Sequence, residues 1–176
     1  SGKTLVDMLE LDLIVGSGGV LSHAPRRNQA FLMMVDSFRP LGITEIAVDS
    51  IFMMPQLGVL SSIHPEAALE VFNRDCLIRL GTSINPIIKN KTGIFDLFTY
   101  SFSHNSKDYN GVIKSHDLEL IPIPYEPVDI VLEPKINVDL GKGFGQKIES
   151  KIYGGEVGIL FDGRIKDSKD ISIVEN

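Results

Sequence analysis

From Leu11 to Val15 the chain is apolar at every position except Asp12, and the run ends in Gly16-Ser17-Gly18-Gly19. Short continuous apolar runs suit parallel strands covered on both faces. Upstream, Leu5, Met8 and Leu9 fit the last turns of a helix packed on that sheet. Downstream, Phe31, Met34, Val35 and Phe38 fall at i, i+3, i+4 and i+7, one stripe of a helix running from Pro25 to about Phe38. Pro25 suits a first helical turn, and Pro40 with Gly42 stops the helix. Thr44–Asp49 predicts a second strand, centred on Ile46 and Val48. Pro55 and Gly58 are expected to break the following apolar stretch into short pieces. A further helix is expected from Pro65 to about Asn73, with Ala68, Leu69 and Phe72 facing inward. Strand alternating with helix is the rhythm of an α/β layer.

The period changes after Asp75. Cys76–Leu80 predicts a strand, and helical spacing then disappears. Ile130, Leu132, Ile136, Val138 and Leu140 share one parity, with Glu133, Lys135, Asn137 and Asp139 on the other. That alternation marks a half-buried strand. Ile148, Ser150 and Ile152 continue it, as do Val157, Ile159 and Phe161. Glycines punctuate these strands, and Pro122, Pro124 and Pro127 mark bends or edges. The pattern predicts two units. Residues 1–74 form an α/β part, and residues 75–176 form a small antiparallel β-barrel or sandwich whose last dozen residues make an edge strand or a loose tail.

Charge narrows the function classes. The net charge is −6 with no basic cluster, which argues against nucleic-acid backbone binding and against a polybasic membrane contact. Hydrophobic residues make up 43% of the 176, enough for a packed core. The single cysteine, Cys76, cannot form an internal disulfide, which suits a cytoplasmic setting. No apolar run approaches the roughly 20 residues that span a bilayer.

Candidate chemistry centres on the glycine turn. A strand, a glycine turn and a helix start let backbone N–H groups face a nucleotide or anion at close range. His23 sits beside this turn, and a guanidinium at Arg26 or Arg27 could stack on a base or approach a phosphate. A partly exposed residue at the helix entry is the plainer account of His23, and solvated helix residues are an equal account of the two arginines. Asp49 ends a strand, where a cap for the next segment is the simplest role. His23, His64, His104 and His116 form no i, i+3 or i, i+4 pair, so no zinc site is expected. Gly2-Lys3-Thr4 lacks the strand and upstream glycine of a phosphate-binding P-loop. Asp139-Leu140-Gly141-Lys142-Gly143-Phe144-Gly145 has strands on both flanks and reads as a turn series, and Asp162-Gly163-Arg164 as a hairpin turn. Met33, Met34, Met53 and Met54 read as core filler. No nucleophile with a base emerges, so no catalytic residue is assigned.

Several segments are more specific than their spacing. Ile14-Val15-Gly16-Ser17-Gly18-Gly19-Val20-Leu21-Ser22-His23-Ala24-Pro25 resembles a signature of the glutamate mutase (methylaspartate mutase) accessory proteins, the MutL/GlmL family. That family is unrelated to the mismatch-repair protein sharing its name. Ala47–Asp49, Met54–Ser61, Asp75–Gly81 and Gly154–Arg164 carry the resemblance further along the chain, and it is weakest between Asn90 and Asp129.

The resemblance implies an actin-like (ribonuclease H-like) ATPase fold. Residues 1–74 would form the C-terminal part of one half, followed by the β module. Gly16, Ser17, Gly18 and Gly19 would contact the adenosine of ATP, with His23 and Arg26 near the adenine. The phosphate-binding segments would lie upstream, making the chain a fragment not expected to be catalytic alone. ATP and magnesium are implied for the full-length protein. The implied role is a chaperone or reactivating factor for an adenosylcobalamin-dependent amino-acid mutase. Two other classes remain open: a protein-binding module with a degenerate nucleotide site, and a small-molecule kinase of the same superfamily.

Overall fold

A computed structural model describes residues 12–19, 26–51, 53–88 and 93–164. Leu5, Met8, Leu9, Pro25, the Gly2-Lys3-Thr4 triplet and the final dozen residues lie outside these ranges. The first strand, β1 (Leu13–Gly16), pairs in parallel with β2 (Gly42–Asp49). Helix α1 (Arg27–Phe38) lies in the crossover between them. Its Ala30, Phe31, Met34 and Val35 are buried against Ile14, Ile46 and Val48. Phe38, at the end of the stripe, is 46% exposed, because the helix ends there and Arg39 turns away with φ 47°.

Two short helices follow, α2 (Met54–Ser61) and α3 (Pro65–Val71), and a single π-helical turn (Phe72–Cys76) leads into β3 (Leu77–Asn85). The break expected at Pro55 and Gly58 is therefore a helix. Pro55 occupies the first turn, where its missing N–H costs nothing. Gly58 is tolerated inside α2 at a cost of about 1 kcal/mol. Of the inward set expected on α3, Ala68 is buried and Leu69 is 59% exposed. Of the methionines read as filler, Met34 is buried while Met33 and Met54 are exposed.

The remaining strands are β4 (Ile87–Ile88), β5 (Asp96–His104), β6 (Lys107–Lys114), β7 (Leu118–Ile121), β8 (Pro127–Pro134), β9 (Val138–Asp139), β10 (Ile148–Tyr153) and β11 (Gly158–Asp162). The alternating run from Ile130 to Leu140 is not one strand: β8 stops at Pro134 and the chain bends before β9. The buried parity nevertheless survives at Ile130, Leu132, Val138 and Leu140.

The expected division at residues 74 and 75 meets a single sheet. Its five strands are ordered β1-β2-β3-β11-β7, so β3 pairs with β2 on one side and β11 on the other. One face of this sheet carries α1, over a core completed by Leu80, Val157 and Leu160. The other face packs on a four-stranded sheet, β10-β8-β5-β6, through a second core. There Tyr100 stacks on Phe161 at 4.2 Å between ring centroids. Burial and a hydrogen bond to Glu119 push the Tyr100 phenol well above its ordinary ionisation range.

A bulge lets β3 serve both cores. Ile46 pairs with Gly81 and Ala47 with Arg79, which leaves Leu80 without a partner on β2. One extra residue reverses the side-chain parity of the positions beyond it. Ile78 and Leu80 accordingly face α1, whereas Ile84 joins the other core.

Candidate functional site

The glycine turn stands at the C-terminal end of β1, where ligands gather in open α/β sheets. Gly16 pairs with Val48, so the turn leaves the sheet beside the next residue of β2, Asp49. Gly18 has φ 138°, a conformation that side chains rarely adopt. No described atom lies within 4 Å of where its Cβ would stand. Ser17 and Gly19 are exposed.

Asp49 is fully buried. Its carboxylate accepts from the main-chain N–H groups of Ile51 (3.3 Å), Met53 (3.4 Å) and Met54 (3.2 Å). It thus satisfies donors at the start of α2, the capping role expected from the sequence. Cys76 lies close by, and its main-chain oxygen accepts from both the N–H and the hydroxyl of Ser50. Burial, with the Asp49 and Asp75 charges, pushes its thiol pKa up. That holds Cys76 in the thiol form and makes it a poor nucleophile.

Arg26 precedes α1 in an extended conformation and is exposed, and its oxygen accepts from Gln29 and Ala30. Arg27 comes next, with Nε 3.5 Å from a Glu156 carboxylate oxygen. Its Nη1 is buried without a hydrogen-bond partner among the described residues. The structure thus brings Gly16, Ser17, Gly18 and Gly19 together with Asp49. It ties Arg27 to the distant Glu156, and His23 lies outside the described residues.

The glycine-rich loop after β9 is a closed turn, as its strand flanks indicated. One Asp139 carboxylate oxygen accepts from the N–H groups of Gly141 (2.7 Å) and Gly143 (2.8 Å). An internal carboxylate therefore occupies the place an anion would need. Asp162-Gly163-Arg164 is not a hairpin turn among the described residues. Gly163 extends the pairing of β11, donating to Asp117 O and accepting from His116 N.

A cleft of about 370 Å³ opens at the other end of β1, lined by Asp12, Glu45, Thr82, Leu140, Lys142 and Tyr153 among others. It is separated from the glycine turn by the length of β1, about 13 Å. Sequence reasoning missed it, because its walls come from five separate segments. Glu45 is held there by Arg79 at 2.7 Å. Among the described residues, no group of three or more His, Cys, Asp or Glu is placed to hold a metal ion. No helix there is long and apolar enough to cross a membrane.

The family model described as MutL protein matches residues 1–76, which include β1, the glycine turn, α1, β2 and both short helices. No curated protein and no solved structure matches the chain.

Proposed function

We propose, from the match of residues 1–76 to the MutL family model, that the chain is part of an accessory protein serving an adenosylcobalamin-dependent amino-acid mutase, with glutamate mutase the first candidate. In this reading the full-length protein binds ATP with magnesium and acts as a reactivating factor. The observation that carries it is the glycine turn at the C-terminal end of a strand that pairs in parallel, with Gly18 at φ 138°. The parallel β1–α1–β2 unit supports an actin-like half.

The residues present fit one end of a nucleotide. Gly16, Ser17, Gly18 and Gly19 would admit the sugar or base against bare backbone. Arg26, exposed just before α1, would add a cation or a flat stacking surface. Asp49 fixes the start of α2 beside the turn, so the strand ends stay rigid while the turn meets ligand. ATP, when bound, would supply differential affinity between two arrangements of the full protein. A ligand that binds both arrangements equally shifts nothing, so the mutase must distinguish the ATP and ADP forms.

The decisive experiment inactivates the cognate mutase by turnover. Full-length protein, magnesium and fresh adenosylcobalamin are then added, with or without ATP. Activity is expected to return only with ATP, and equal recovery in both arms would reject the reactivating role. A second prediction isolates the turn. Gly18→Val in the full-length protein introduces a branched side chain at φ 138°. The strain costs about 1–3 kcal/mol, and the side chain fills the approach to the backbone. ATP affinity measured by calorimetry should fall roughly tenfold or more, with the circular dichroism spectrum retained. Unchanged affinity in a folded variant would remove the turn from the site.

A further inference from the structure

We draw no further inference here: the strongest candidate, the apolar surface patch that Ile51, Val59, Ile63 and Leu69 expose on and around the short helices α2 and α3, carries nothing, because nothing in the structure shows what covers it.

Discussion

Gly155→Ala is expected to destabilise the chain by about 3 kcal/mol, the upper end of ordinary overpacking costs. A Cβ at Gly155 would stand 2.4 Å from both the carbonyl carbon and oxygen of Leu80, and 2.5 Å from Gly81 N. All three are backbone atoms, so no rotamer change relieves the contact. The crossing is also pinned by hydrogen bonds: Gly155 N to Ile123 O (2.9 Å), Glu156 N to Arg79 O (3.0 Å) and Val157 N to Leu80 O (2.8 Å). This link feeds β11 into its place between β3 and β7, so a shift there loosens the sheet shared by both cores. Gly58→Ala is the control. Nothing stands within 4 Å of its Cβ position, and inside α2 the change should add up to about 1 kcal/mol of stability. Urea unfolding measures both. A Gly155→Ala protein within about 1 kcal/mol of the parent would show that the crossing yields more readily than its geometry implies.

The same crossing shows why the sheet was only partly legible in the sequence. β1, α1 and β2 are neighbours in the chain, and their periods can be read within short windows. The pairing of β3 with β11 joins distant segments, and nothing local in either one names the other. The bulge at Leu80 hid the second half of β3, because side-chain parity reverses there and polar Thr82, Ser83 and Asn85 are buried. The β5–β6 hairpin was missed for a different reason. Its turn residues, Asn105 and Ser106, both have positive φ (49° and 60°), yet the pair lacks the glycine that usually signals such a turn. Of the candidate site, the glycine turn and the Asp49 cap were legible because each is local. The Arg27–Glu156 contact and the β10 cleft depend on the tertiary fold.

Arg164→Ala is expected to cost about 2–3 kcal/mol. Asp162 ends β11 with its side chain fully buried. Its carboxylate accepts from Arg164 Nε at 2.8 Å, Arg164 Nη2 at 2.9 Å and Arg164 N at 3.1 Å. The guanidinium also reaches Asp36 on α1 at 2.8 Å, tying helix to strand. Hydrogen bonding to Asp162, with its charge, raises the Arg164 pKa further above its ordinary value, so the guanidinium stays charged. Removing one partner of a fully buried pair costs about 3–5 kcal/mol, since the other charge is left without compensation. The lower figure here reflects the 36% exposure of the Arg164 side chain, which admits water to the pair. Asp36→Ala should cost less than about 1 kcal/mol, because that carboxylate is 58% exposed. Arg164→Lys should fall between, keeping the charge and losing the fork that meets both Asp162 oxygens. Adding Asp162→Asn to Arg164→Ala should recover part of the loss, because the buried group no longer carries a charge. Chemical unfolding of these four variants, with Asp162→Asn alone closing the double-mutant cycle, gives the coupling between Arg164 and Asp162. Equal costs for Arg164→Ala and Asp36→Ala would show that the contact with the helix, rather than the buried Asp162 charge, sets the value of this arginine.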